Sequence, residues 1–460
     1  MNTVPLPDSD PASPADKTAI VGMGKTGISV ARFLSQRGIV CEGFDEHPVQ
    51  VPENLDIPIH IGRLKGNILA KFERVIASPG INLNHPALNA AREAKVPVSG
   101  DLDLFSEAFE GDLIAITGTN GKTTTVSLIA TLMDTLAGGI EAGGNIGRPM
   151  LDIFEDAVSA RRIVLELSSF QLERAKNIHP KWAALLNVQP DHADMHTDDV
   201  AYEAAKLRLF QEQGPGDTAM LPVDLHWDDL SRQLADRDVR VHRFGYGAAE
   251  HLCAGIQELE TGDWQVFWRH GDQVEYIKAS ELPARGKHQH MNLAIAAQAA
   301  ADFGVSPSVI RLALTSFHGL SHRLQSLGVI EGREWFDDSK ATNPDAAKAA
   351  LEAFDQVVWI CGGLSKGVDL STLQESVSAH VAQAYVIGKD PKPYAELGHN
   401  AGVPTSIAGT IEQAVGQAAR AQPGLPVLLS PAAASQDQFS DYGERGNKFA
   451  EAVKKLEMSA

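Results

Sequence analysis

The chain has 460 residues, 43% of them hydrophobic, with 40 Lys and Arg against 59 Asp and Glu and a formal charge of -19. At roughly 100–200 residues per domain this predicts two or three domains, and the ordinary apolar content excludes wholesale disorder. The acidic balance excludes a general surface for nucleic acid or anionic lipid, and no apolar run approaches the roughly 18 residues a membrane helix needs.

Residues 1–16 carry four prolines and neither a basic n-region nor an apolar h-region, so they read as a disordered tail, not a signal peptide. Cys41, Cys253 and Cys361 are far apart and form no CxxC pair, which fits a reducing compartment and a cytoplasmic protein. Thr18–Val21 predicts a short strand, followed by helical spacing of Val30, Phe33 and Leu34 and a stop at Gly38. Between them Gly22-Met23-Gly24-Lys25-Thr26-Gly27 matches G-x-G-x-x-G, with Asp45 at the end of the next strand candidate. That turn suits NAD or any nucleotide bearing a diphosphate; a tight turn without ligand is the plain alternative.

A second nucleotide-type unit starts at Leu113–Ile116, turns through glycines, and enters a helix whose buried stripe is Val126, Ile129 and Met133. The join between the two units is predicted near Gly100. The turn itself, Thr117-Gly118-Thr119-Asn120-Gly121-Lys122-Thr123-Thr124, is a phosphate loop. Its backbone amides surround a β-phosphate, Lys122 reaches β and γ, and the Thr123 hydroxyl can ligate Mg²⁺. It departs from G-x-x-x-x-G-K-T in having Ile116 at the first glycine.

Ile163–Leu167 and Ala183–Val188 read as buried parallel strands, which would carry Glu166 and Asp191-His192 to the phosphate loop. A carboxylate there suits Mg²⁺. His192 and His196 have zinc-like spacing, but no HExxH and no third thiol or histidine ligand accompany them, so a magnesium–phosphate site is favoured. By residue type alone Tyr202–Leu207 is an exposed helix with Glu203 and Lys206 at i, i+3. The turn signals at Thr261-Gly262-Asp263 and His270-Gly271-Asp272 predict antiparallel strands across about 216–283.

After Gly319, strand candidates Val357–Cys361, Tyr385–Gly388 and Val427–Ser430 alternate with helical stretches and predict a third α/β domain. Polar clusters fall at its strand ends: His322-Arg323, Asp337–Asn343, Gly362–Lys366 and Ser430–Ser435. Arg323, Lys340 and Lys366 are cations placed to meet phosphate or carboxylate.

Taken together, TGTNGKTT, LELSSFQLE, NVQPDHADMH, YEAAKLRLF, SHRLQ, DDSKATNPDAA and SPAAASQDQFSDYGERG resemble the Mur ligases, from about Lys17 to the last residue. The resemblance implies an α/β chain of three domains: a Rossmann-like UDP-binding domain at 17–100, a P-loop ATPase-type central domain with added antiparallel strands at 101–319, and a Rossmann-like amino-acid-binding domain at 320–460. It turns the first glycine motif from NAD to UDP, with Thr26, Asp45 and Gly80 at family positions contacting uridine or diphosphate. Lys25 and Glu46 differ from the residues the family pattern suggests.

The implied reaction adds D-glutamate to UDP-N-acetylmuramoyl-L-alanine, driven by ATP through an acyl phosphate, in peptidoglycan precursor synthesis. The implied ATP site comprises Gly118, Thr119, Asn120, Gly121, Lys122, Thr123 and Thr124, with Asn292 near adenine, Asp338 on the ribose and Arg323 at the γ-phosphate. Two Mg²⁺ ions would be held by Thr123, Glu166, His192 and Lys206, the lysine as a carbamate. Asn145 and Ser168 would touch the muramoyl substrate, and Thr342, Lys366, Ser435 and Tyr442 the glutamate. The resemblance further implies a monomer that hinges near residues 319–322 and has no nucleic-acid or membrane partner. Competing readings are a Mur-type ligase for L-glutamate or another amino acid, a folylpolyglutamate synthase, an NAD(P)-dependent oxidoreductase and a P-loop regulator without chemistry.

Overall fold

The computed structural model describes residues 3–5, 17–145, 147–156, 161–189, 199–364 and 369–457. The chain forms two compact units, the first comprising residues 1–246, 250–254 and 296–306 and the second 247–249, 255–295 and 307–460.

Unit 1 begins with a parallel sheet of β1 (Thr3–Pro5), β2 (Thr18–Val21), β3 (Cys41–Asp45), β4 (Ile59–Ile61), β5 (Arg74–Ala77) and β6 (Val98–Ser99) in the order β1-β4-β3-β2-β5-β6. Within the stretch expected to be a disordered tail, Thr3–Pro5 instead extend the sheet edge, pairing with Ile59–Ile61. The alternation of β2 drives its burial on both faces. Ala19 and Val21 join one cluster with Leu88 and Ala91, while Ile20 joins Val30 and Leu34 of the helix Lys25–Gln36. Strand order reverses between β2 and β5, so their carboxyl ends open a crevice of the kind that takes nucleotides.

A second parallel sheet follows in the same unit: β7 (Asp112–Thr117), β8 (Ile140–Gly144), β9 (Arg162–Glu166), β10 (Trp182–Leu185), β11 (Thr218–Pro222) and β12 (Arg240–Tyr246), ordered β12-β11-β10-β7-β9-β8. The helix Lys122–Met133 buries the predicted stripe, with Val126, Ile129 and Met133 each at 0% exposure. Near Gly100 there is no gap in the core: Leu102 and Phe105 belong to the same apolar cluster as Ile20 and Leu113. The antiparallel expectation for 216–283 fails in its first half. The helix Asp228–Ala235 separates β11 from β12, and a crossover helix makes neighbouring strands parallel.

Unit 2 holds the antiparallel part, β13 (Ala254–Glu258, from Gly255 onward), β14 (Trp264–His270) and β15 (Gln273–Lys278), with the turn at Gly271-Asp272 closing the β14–β15 hairpin. Its larger sheet is β16 (Gln325–Ile330), β17 (Arg333–Asp337), β18 (Val357–Cys361), β19 (Val381–Ile387), β20 (Thr405–Gly409) and β21 (Val427–Leu429), ordered β16-β17-β21-β18-β19-β20. Only the β16–β17 pair is antiparallel; the remaining pairs are parallel. Apolar clusters cover both faces, Trp359 and Phe336 on one side and Val358, Ile360 and Trp335 on the other.

Candidate functional site

In the first sheet, the turn after β2 is built on close backbone approach. Gly22 has φ +88, and a Cβ on Gly27 would lie 2.0 Å from the Gly22 carbonyl oxygen. Ser78 Oγ donates to that same carbonyl at 2.6 Å, joining the ends of β2 and β5. Asp45 accepts from the Met23 amide at 2.7 Å through one oxygen and from the His47 amide at 3.0 Å through the other. Each Asp45 oxygen thus takes one main-chain amide and keeps a further acceptor position for a ligand. Thr26 lies half-buried at the start of the helix, and Gly80 is exposed with open space beside it. The buried Arg174 guanidinium donates to the carbonyls of Ile81 and Phe170, tying the loop after β5 to the helix Ser169–Arg174. Nearby, burial pushes the Asp101 carboxyl up to about 6.

The phosphate loop follows from strand register. Ile116 stands opposite Glu166 and Thr117 opposite Leu185, so the ends of β9 and β10 flank the loop that leaves β7. Gly118 at φ +151 and Gly121 at φ +86 make the turn, and a Cβ on Gly118 would meet Leu186 at 3.0 Å. Asn187 braces it: its Oδ1 accepts from the amides of Thr119 at 3.1 Å and Asn120 at 2.8 Å, and its Nδ2 donates to the Asn120 carbonyl at 3.1 Å. Thr119 also shares a 3.2 Å hydroxyl contact with Tyr202, and Thr124 is buried in the first turn of the helix. That turn carries no acidic residue, so its amides and dipole remain favourable to an anion.

Thr123 Oγ1 donates to Glu166 Oε2 at 2.8 Å, and Asn145 Nδ2 to Glu166 Oε1 at 3.2 Å. A hydroxyl and a carboxylate this close form an all-oxygen donor set, which fits Mg²⁺. Among the described residues no cluster of three His, Cys, Asp or Glu side chains forms; His192 lies outside them. Lys206, expected from residue type to be exposed, is 1% exposed. Its Nζ donates to the Gly118 carbonyl at 2.8 Å and sits 4.3 Å from the Tyr202 ring centroid. Lys122 Nζ donates to the same carbonyl and to that of Thr119, both at 2.8 Å. Two ammonium groups therefore converge on one oxygen. Ser168, the muramoyl candidate, caps its helix in a capping box with Gln171.

In unit 2 the carboxyl ends of β17, β18 and β21 gather the polar clusters. Asp338 accepts from the Leu324 amide at 3.1 Å and the Ser430 hydroxyl at 2.8 Å, and burial holds its carboxyl well above the usual range. His322 Nδ1 lies 2.6 Å from Asp337 Oδ2, a contact that raises the imidazole pKa. Arg323 follows directly and lines a cavity of about 300 Å³ together with Arg285, Gln289, His318, Glu334 and Phe336. Asn292 is buried one turn after Gln289 in the helix Lys287–Asp302.

Arg445, 1% exposed, clamps two strand-end segments: Nε and one terminal nitrogen donate to Ser339 Oγ at 3.0 Å and its carbonyl at 2.7 Å, the other nitrogen to the Ala433 carbonyl at 3.0 Å. Ser339 Oγ in turn donates to the Tyr442 carbonyl at 2.7 Å, and Lys340 Nζ lies 4.1 Å from the Tyr442 ring centroid. Leu364 pairs with Ala434, next to the buried Ser435. Thr342 is half-buried on the segment after β17, and Lys366 lies outside the described residues.

The comparisons agree with this layout. Residues 16–100 match the MurD-like N-terminal domain of Mur ligases, 116–300 the Mur ligase middle domain, and 322–433 the Mur ligase glutamate ligase domain. The UDP-N-acetylmuramoylalanine–D-glutamate ligase of Marinobacter nauticus is 35% identical over 454 residues, covering 96% of this chain and 98% of that protein. The protein of the same name from Roseobacter denitrificans is 37% identical, covering 95% and 97%.

The chain belongs to the Mur ligase family, in its MurD branch. In fold it is similar to MurF of Thermotoga maritima solved with ADP, at TM-score 0.59 and 18% identity over 96% of this chain and 95% of that one. A pseudomurein peptide ligase type C from Methanothermus fervidus gives TM-score 0.57 and 16% identity over 96% and 100%. As a Mur ligase this is an ATP-binding ligase of peptidoglycan precursor synthesis, with Rossmann-like first and last domains around an ATPase-like middle one. No helix among the described residues is long and apolar enough to cross a membrane.

Around one loop the structure gathers Lys122, Thr123, Glu166, Asn145 and Lys206; of these, reading by residue type brought Glu166 to the loop of Lys122 and Thr123, and it left Lys206 on an exposed helix. It missed Asn187 and Arg445. Asn187 was legible only as the polar end of an apolar strand, and an arginine opening a C-terminal helix looks like surface charge until its burial is known.

Proposed function

We propose that this Mur ligase adds D-glutamate to UDP-N-acetylmuramoyl-L-alanine, with ATP as the energy source. The observation that carries the reading is full-length likeness to ligases of that name, at 35–37% identity over 95–96% of the chain. The domain limits that go with it are 17–100 for UDP, 101–319 for ATP and 320–460 for the amino acid.

The substrate carboxylate attacks the γ-phosphorus and forms an acyl phosphate with loss of ADP; the glutamate amine then displaces phosphate through a tetrahedral intermediate. Bringing a carboxylate to a polyanionic nucleotide is unfavourable, so positive groups must be concentrated at the point of attack. The phosphate loop supplies them. Its glycine turn and helix N-terminus present amides, and Lys122 can exchange its loop carbonyls for phosphate oxygens. Thr123 and Glu166, with His192 and Lys206, would hold the magnesium, which when bound offsets phosphate charge during transfer.

Convergence of Lys122 and Lys206 on the Gly118 carbonyl supports carbamylation of Lys206. Turning one of two adjacent cations into an anion relieves their repulsion and adds an oxygen ligand. Asn145 and Ser168 take the muramoyl part, and Thr26, Asp45 and Gly80 the uridine diphosphate. In unit 2, Arg323, Asp338 and Asn292 are assigned to ATP, and Thr342, Lys366, Ser435 and Tyr442 to glutamate. The setting is cytoplasmic and the working form a monomer.

Phosphate release measured with UDP-N-acetylmuramoyl-L-alanine and, in turn, D-glutamate, L-glutamate, L-alanine and meso-diaminopimelate tests the assignment. Release is expected with D-glutamate alone. Equal release with another amino acid would move the protein to a different substrate, and release independent of the UDP substrate would remove the ligase reading.

A further inference from the structure

One buried cation of unit 1 stands apart from the phosphate loop. Arg174, 5% exposed, ends the helix Ser169–Arg174. One terminal nitrogen of its guanidinium folds back to the carbonyl of Phe170 in the first turn of that helix. The other reaches the carbonyl of Ile81, 93 residues away in sequence, on the loop after β5. Nε has no partner among the described residues, and Asp101 lies within electrostatic range of the charge. Taking a guanidinium out of water is costly, and this one turns its fork to two carbonyls, not to a carboxylate. Such a group adds little net stability. Its effect lies in what it holds together.

What it joins are the two segments assigned to the two ends of one substrate. On one side, the Ile81 side chain rests on the glycine turn: a Cβ on Gly22 would lie 2.8 Å from Ile81 Cγ1. The Ile81 amide donates to the Ser78 carbonyl at 3.0 Å, and Ser78 Oγ to the Gly22 carbonyl at 2.6 Å. Holding the Ile81 carbonyl therefore holds the loop that packs on the turn assigned to the diphosphate. On the other side, the helix starts from Ser168, assigned to the muramoyl part, and its capping box with Gln171. The stem of Arg174 runs beside the join of the two sheets: a Cβ on Gly100 would lie 3.1 Å from Arg174 Cβ and 3.4 Å from its Cδ. Just beyond, the buried Asp103 accepts the Lys176 amide at 2.7 Å, so the end of this helix is also held to the helix Asp101–Ala108. The apolar cluster shared by Ile20, Leu102 and Leu113 packs the bodies of the two sheets, and Arg174 adds a polar tie at their carboxyl ends.

We propose that Arg174 is a positioning residue for the UDP-linked substrate. By clamping the loop after β5 to the helix after β9 it sets the span between the diphosphate turn and the muramoyl contacts, and with it the reach of the substrate carboxylate toward the phosphate loop. This rests on the UDP-muramoyl reading given above, and Arg174 itself touches no substrate atom. A ligand held at two places gains from the second only when the two stand at the right separation, and a misplacement of about 1 Å costs on the order of 10²-fold in rate.

Titration calorimetry of the full chain with UDP and with UDP-N-acetylmuramoyl-L-alanine tests it, because UDP engages one side of the clamp and the whole substrate both. Arg174→Met keeps an unbranched stem and removes the fork. It should leave the Kd for UDP within about twofold, weaken that for the whole substrate by about tenfold or more, and lower kcat. Arg174→Lys keeps the charge but has no planar fork to hold two carbonyls, and should behave as the methionine variant does. Gly100→Ala leaves every hydrogen-bonding group in place, at a φ of -114 open to alanine, and presses a Cβ on the Arg174 stem. It should shift the ratio of the two affinities in the same direction, and it carries the test if Arg174→Met does not fold. Folded variants that bind both ligands as the native protein does, or that lose UDP and the whole substrate equally, would overturn the clamp. A native protein that binds the whole substrate no more tightly than UDP, or binds neither, would instead remove the UDP-muramoyl reading beneath it.

Discussion

Asn187→Ala removes the brace of the phosphate loop. One oxygen holds the amides of Thr119 and Asn120, and the side-chain nitrogen holds the Asn120 carbonyl, three contacts between 2.8 and 3.1 Å. Thr119 has a fallback, because its amide also reaches the Asn187 carbonyl at 3.0 Å, which the substitution retains. Two contacts are therefore lost outright, each worth about 1 kcal/mol net, or about 2 kcal/mol together. The loss falls on the arrangement of the amides that would surround the β-phosphate, so it should appear as weaker ATP binding, about 30-fold in KM by the usual conversion of about 1.4 kcal/mol per tenfold. Phosphate-release kinetics with each substrate varied in turn is the assay. KM for the UDP substrate should stay within about twofold, since Asn187 follows β10 of the second sheet, whereas the glycine turn after β2 belongs to the first. An unchanged ATP KM in a folded variant would refute the view that this side chain preorganises the loop.

Four further outcomes are expected. Lys206→Ala should lose most activity and regain part of it in acetate, whose carboxylate can stand in for a carbamate; full activity without acetate would remove the modified lysine from the account. Gly27→Ala places a Cβ 2.0 Å from the Gly22 carbonyl and should raise KM for the UDP substrate about tenfold or more while leaving KM for ATP alone. Arg445→Met strips three hydrogen bonds from a buried guanidinium and should cost about 3 kcal/mol or more, read as an earlier urea midpoint. His322 has a raised pKa from Asp337, so its stabilisation is complete below the free-histidine value of about 6.5 and disappears as pH rises through the folded value. The stability gap between the native protein and His322→Gln should accordingly shrink as pH rises above about 6.5, and a gap that widened would reverse the sign of this argument.

Where hydrophobic pattern and turn chemistry act locally, the sequence was informative: Thr18–Val21 and Val357–Cys361 are strands over the ranges their apolar runs indicate. The position of Glu166 was legible for the same reason, since parallel strands must deliver it beside the loop that follows β7. The parallel pairing of β11 and β12 was not, because aromatic and charged residues near turn signals look alike on either strand direction. Lys206 shows the other limit. Helical spacing with Glu203 reads as a solvated face, and only tertiary packing against Gly118 and Tyr202 makes it a buried cation. Asn187 and Arg445 depend on contacts between segments distant in sequence, which no local pattern encodes.

The most direct test of the ligase chemistry follows the oxygen. UDP-N-acetylmuramoyl-L-alanine labelled with ¹⁸O in its carboxylate, turned over with ATP and D-glutamate, should pass one labelled oxygen to the released phosphate, because the acyl phosphate joins that oxygen to phosphorus before the amine displaces it. Phosphate released during amide formation with no label would mean that the carboxylate never attacked ATP, and the proposed reaction would have to be abandoned.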